Sequence, residues 1–97
     1  MADYFVNQTE DYDGSPDVED DVITATGSIK MSLNGVLGGA DLKVYSRLGD
    51  NGDFNIIWQS KTIFTKILIM AANEQWYAVL SNSGVNTDCT LSYLDVS

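Results

Sequence analysis

Between Gly27 and Leu33 the chain alternates with a period of two. Gly27, Ile29, Met31 and Leu33 fall on one side, and Ser28, Lys30 and Ser32 on the other. Only an extended strand turns every second side chain to the same face, so this stretch reads as a half-buried β-strand. Downstream, Val, Ile, Thr and aromatic residues recur in short runs split by Gly, Asn and Asp, which is strand-and-turn chemistry. Val22 to Leu33 holds one strand or two. Asn34-Gly35 then predicts a hairpin, because both central positions of a type I′ turn need positive φ. After Gly38-Gly39, the run Ala40 to Leu48 sets Leu42, Val44 and Leu48 against Lys43, Tyr45 and Arg47. Gly49-Asp50-Asn51-Gly52-Asp53 reads as a second turn. Phe54 to Gln59 reads as the returning strand, with Phe54, Ile56 and Trp58 on one face. Ile63 to Met70 is apolar on both faces and would also fit a short helix; its branched residues favour a strand. Ala71 to Gln75 makes a turn, and Trp76 to Ser81 and Cys89 to Val96 complete the set. The expected fold is all-β: an antiparallel β-sandwich, immunoglobulin-like or jelly-roll-like, of about seven short strands. Trp58, Phe54, Trp76 and Leu42 are the expected centre of its core.

A chain of 97 residues is one small domain. A core of that size is marginal alone, and oligomerisation would help it. The net charge is -9, from 14 acids against 5 bases. Eight of those acids lie in residues 1–21, with no base before Lys30, whereas the other six face all five bases. The charge therefore divides the chain into an extended acidic N-terminal arm, 1–21, and a β-sandwich domain, 22–97. Gly14-Ser15-Pro16-Asp17 reads as a turn within the arm. The arm also carries Tyr4, Phe5, Val6, Tyr12 and Val18. Burying these five side chains returns less free energy than ordering the arm's backbone costs. The arm is therefore expected to lie across a neighbouring subunit or to add a strand to its sheet edge, with those five residues as the partner contacts.

Several function classes are disfavoured by composition. A net-negative chain lacks the cationic stripe that binds phosphate backbones, so no nucleic-acid partner is expected. The longest apolar run, Ile67 to Ala72, is far short of the ~20 residues of a membrane span. Met1-Ala2-Asp3-Tyr4 has neither the basic flank nor the apolar core of a secretory signal, so synthesis in a cytoplasm is expected. Asn7-Gln8-Thr9 matches an N-glycosylation pattern that would need a secretory route. The absence of histidine removes Ser-His and Cys-His catalysis. Cys89 has no basic neighbour and reads as a buried structural thiol. Gly35 to Gly39 lacks the Lys and helix that follow a phosphate-cradling loop.

Two weaker signals remain. Asp50-Asn51-Gly52-Asp53 offers oxygen ligands of the kind calcium takes, but without the terminal Glu of an EF-hand loop it reads as a hairpin turn. The body acids Asp41, Asp50, Asp53, Glu74, Asp88 and Asp95 each sit in or beside an expected turn or chain end. Two of them would have to meet across a cleft for glycoside hydrolysis. No catalytic residue, cofactor or metal site is assigned, and the chain reads as a non-enzyme. Tyr45, Tyr77, Tyr93, Trp58 and Trp76 could form a sugar-stacking platform or fill a core or interface.

Three stretches carry a resemblance. They are Gly27-Ser28-Ile29-Lys30-Met31-Ser32-Leu33-Asn34-Gly35, then Gly38-Gly39-Ala40-Asp41-Leu42-Lys43-Val44-Tyr45-Ser46, then Gly49-Asp50-Asn51-Gly52-Asp53-Phe54. In spacing they resemble small virion structural proteins of tailed bacteriophages, and Trp76 to Ser81 and Thr90 to Leu94 look like that family's closing strands. The resemblance covers about residues 27 to 97 and leaves the acidic arm outside it. It implies a capsid decoration or cement protein, located in the virion and made in the host cytoplasm. Its partners would be the major capsid protein or other virion proteins and further copies of itself, a homotrimer being favoured. The alternative it implies is a receptor- or carbohydrate-binding module of a fibre or tail.

Overall fold

The computed structural model describes residues 2–96. Among them the chain forms nine strands and no helix: β1 (Ala2–Gln8), β2 (Tyr12–Asp13), β3 (Ile23–Thr24), β4 (Ile29–Val36), β5 (Asp41–Arg47), β6 (Asn55–Ser60), β7 (Phe64–Leu68), β8 (Gln75–Ser81) and β9 (Asp88–Asp95). All pair antiparallel, in two sheets packed as a β-sandwich. One sheet runs β1-β9-β4-β7. The other runs β2-β8-β5-β6, with β3 pairing farther along β8.

The period-two pattern does what strand geometry requires. Ile29, Met31 and Leu33 of β4, Leu42 and Val44 of β5, Trp76, Ala78 and Leu80 of β8, and Cys89 and Leu91 of β9 all turn inward and are buried. Burying two such faces against each other is the hydrophobic driving force of the fold. Trp76 lies at the centre, fully buried, with the Tyr4 ring stacked on it at 5.2 Å and Tyr93 edge-on at 5.1 Å. The apolar run Ile63 to Met70 does contain a strand, β7, which pairs in regular register with β4.

Three expectations are corrected. Asn34-Gly35 is not a hairpin turn. β4 runs straight through it, pairing Asn34 with Thr90 and Gly35 with Cys89, and the chain leaves the strand only at Leu37-Gly38-Gly39. Gly35 has φ 106°, and a Cβ there would collide with the Asp88 carbonyl oxygen. Its glycine serves the close approach of β9 rather than a turn.

Phe54, Ile56 and Trp58 do not share a face. Trp58 pairs with Val44 and Ile56 with Tyr45, so Ile57 is an extra bulged residue that reverses the alternation. Trp58 reaches the rim of the core, while Phe54 packs on the outer face of its sheet against Tyr77. Of the four expected core residues, only Trp76 and Leu42 are fully buried.

The division at residue 21 does not separate an arm from a body. β1 is an edge strand of one sheet and β2 an edge strand of the other. The register of β1 against β9 skips Tyr4, so Tyr4 and Phe5 both turn into the core although adjacent in sequence.

Candidate functional site

Two edges of the sandwich differ in build, and the side chains with functional potential lie on them. At the first edge β1 lies over β2. The Tyr4 hydroxyl donates to the Asp21 carbonyl at 2.6 Å and accepts from the Ala78 N–H at 3.1 Å. A Cβ on Gly14 would collide with that hydroxyl, so only glycine fits beneath it. Tyr12 donates to Asp21 Oδ2 at 2.6 Å, and its ring packs 5.5 Å from Phe5. Burial, with the nearby Asp21 charge, pushes the pKa of both phenols above the usual tyrosine range and keeps them protonated.

Tyr4 and Phe5 therefore cannot be partner contacts in this structure: they are core residues, and Tyr12 is half-buried against them. Backbone pairing with β9 and β8 supplies what their burial alone could not, and the chain holds its own leading segment. Of the five expected contact residues, only Val6 and Val18 are open to solvent.

Acids of this edge line an open groove of about 510 Å³. Glu10, Asp11, Asp13 and Glu19 border it together with Val18 and Val79. Asp11 accepts from the Ser83 N–H and Asp13 from the Ser15 N–H, both at 2.9 Å. That hydrogen bonding to Ser83 holds the Asp11 carboxyl below the usual carboxylate range and so favours its charged form.

At the opposite edge β6 lies over β7. Here the sandwich is left open. Trp58 meets Phe64 edge-on at 5.6 Å, and the Lys66 ammonium sits 4.4 Å above the Trp58 ring. On these two strands and the residues beside them Ile56, Ile57, Ile63, Ile67 and Ile69 are exposed, Ile69 with 89% of its surface, Ile56 standing on the outer face of one sheet beside Tyr45 and Ile67 on the outer face of the other beside Lys30. Residues 54–73 contain Lys61 and Lys66 and no acid. Lys61 lies 3.8 Å from buried Asp41, too far for a hydrogen bond. Sequence reading placed Ile63 to Met70 on a strand but gave no sign that its apolar side chains would lie on a sheet edge.

The remaining candidates disperse. Tyr45 and Tyr77 stack at 5.0 Å on the outer sheet face, with Phe54 edge-on to Tyr77 and Arg47 4.4 Å over Phe54. Trp76 and Tyr93 are drawn into the core cluster instead. Asp50 and Asp53 are exposed in the β5–β6 turn. Asp41 accepts from Asn82 Nδ2, and Glu74 from the Ala71 N–H. Among the described residues no group of three or more His, Cys, Asp or Glu is placed to hold a metal ion. Cys89 is buried and free, and burial pushes its thiol pKa up, keeping it protonated.

Compared with protein-family models, with curated proteins and with solved structures, the chain matches none.

Proposed function

We propose that this protein is a non-enzymatic structural subunit of a virion, a decoration protein that docks on the capsid shell of a tailed bacteriophage. The observation that carries the reading is the β6/β7 edge, where five isoleucines and two lysines stand exposed on an otherwise acidic molecule. Exposed apolar side chains concentrated on the last strand of each sheet are the material of an interaction site. The spacing resemblance of residues 27 to 97 to small virion proteins supplies the setting. The major capsid protein is the partner, and the buried Tyr4 and Phe5 of the N-terminal segment contribute stability to the subunit.

Counting the protein in purified particles of the phage whose genome encodes it tests this reading. A decoration role gives a copy number comparable to that of the capsid protein. Absence from the particle overturns the virion role. A handful of copies instead supports the second reading, a receptor- or glycan-binding module of a fibre. That reading draws on the half-exposed Tyr45, Tyr77 and Phe54 cluster with its Arg47, although the two tyrosines spend one ring face each on one another.

A further inference from the structure

We propose that copies of this chain bind one another head to tail, the isoleucine–lysine edge of one copy seating on the acidic groove of the next. The inference rests on the reading of the β6/β7 edge as a contact surface and names a second copy as an occupant of that surface.

Sheet order places the two surfaces at opposite edges of one sandwich, β1 and β2 on one side and β7 and β6 on the other. Their chemistry is complementary. Residues 1–21 hold eight acids and no base, whereas residues 54–73 hold two lysines and no acid. Glu10, Asp17 and Glu19 are exposed, and among the described residues no hydrogen bond engages their carboxylates. A groove lined by both valines and carboxylates suits a lysine, whose aliphatic stem lies on apolar surface while its ammonium reaches an acid. Exposed Val6 and Val18 offer apolar area to the isoleucines.

Contact of like edges fits less well. A two-fold interface sets one patch against itself. It would oppose Lys61 and Lys66 to their own copies, or one acidic groove to another. Continuous β-pairing is disfavoured too, because β6 carries a bulge. Bulges are among the devices by which edge strands avoid each other. The contact is therefore side chain to side chain. Net repulsion between molecules of charge -9 is screened beyond about 8 Å at physiological salt, leaving the local match in control.

A heterologous contact leaves one free edge on every end copy, and this is testable with full-length chains in analytical ultracentrifugation. One variant blocks the apolar edge (Lys66→Ser with Ile69→Ser) and another blocks the groove (Glu10→Lys with Glu19→Lys). All four positions are exposed, and circular dichroism checks that each variant folds. The unmodified chain is expected to self-associate as concentration rises to about 1 mM. Each variant alone stays monomeric, and an equimolar mixture forms a one-to-one dimer and nothing larger. An unmodified chain that remains monomeric overturns the proposal. So does a groove-blocked variant that still dimerises alone, which is the signature of like-edge pairing, or a mixture that stays monomeric. None of these outcomes changes the copy number in particles, so failure here is distinct from failure of the virion reading.

Discussion

The two edges of this sandwich face the same physical problem and solve it differently. An edge strand leaves backbone groups unpaired and the rim of the core uncovered. At the β1/β2 edge the chain closes the rim with its own aromatics: Tyr4 stacks on Trp76, Phe5 and Tyr12 pack beside Tyr4, and acids line the groove outside. At the β6/β7 edge the closure is thin. Trp58, Phe64 and Lys66 span the gap and isoleucines remain in water. The comparison separates stability from association. The closed edge holds the monomer together, and the open one is left for a neighbour.

Deleting residues 1–8 should break that contrast most severely. Without β1, Trp76 and Leu91 lose their cover at one edge, and we expect the cooperative thermal transition to vanish from near-UV circular dichroism. A deletion variant that unfolds cooperatively near the full-length midpoint would mean that the leading segment is an appendage. Next in size is Trp76→Ala, expected to cost about 3–5 kcal/mol in urea unfolding as a fully buried aromatic.

The closed edge should also respond to alkali. Tyr4 and Tyr12 ionise at higher pH in the folded chain than the tyrosine reference near 10. Folding thus favours their protonated forms. Their contribution to stability is complete below about pH 10, the unfolded value, and is lost as pH rises beyond it. The urea midpoint should therefore fall from pH 9 to pH 11, and Tyr4→Phe should fall less steeply. At neutral pH Tyr4→Phe should itself cost about 1–3 kcal/mol, because the Ala78 N–H and Asp21 carbonyl lose a partner.

The smallest effect belongs to the open edge. Ile69→Ser replaces a side chain that packs against little, so monomer stability should move by less than about 0.5 kcal/mol. Measured in dilute solution, a loss above 2 kcal/mol would show that Ile69 belongs to the core.

The sandwich itself was legible because its signal is local: alternation in β4, β5 and β8 follows from strand geometry one residue at a time. The Gly49 to Asp53 turn was legible for the same reason, and the β5–β6 hairpin follows it. What misled was non-local. Asn34-Gly35 carries the chemistry of a turn, yet its glycine answers to Asp88, 53 residues downstream. Ile57 looks like an ordinary strand residue, and only its pairing with β5 reveals the bulge. The acid content of residues 1–21 masked Tyr4 and Phe5, whose burial depends on hydrogen bonds to Ala78 and pairing to β9. The open edge was hidden for a related reason. An apolar strand buried on both faces and one at a sheet edge read alike in sequence, and only strand order tells them apart.

The division of labour between the edges rests on the leading segment being part of the monomer's fold, and amide hydrogen exchange in dilute solution tests this most directly. The Gly14 N–H donates to the Ala78 carbonyl and the Ala78 N–H to the Tyr4 hydroxyl, so both are protected only when β1 and the Gly14 region are docked. We predict that both exchange within about ten-fold of a central amide such as that of Val44, as expected when they open only by global unfolding. Exchange of both at the rate of an unprotected amide, with Val44 still slow, would contradict it.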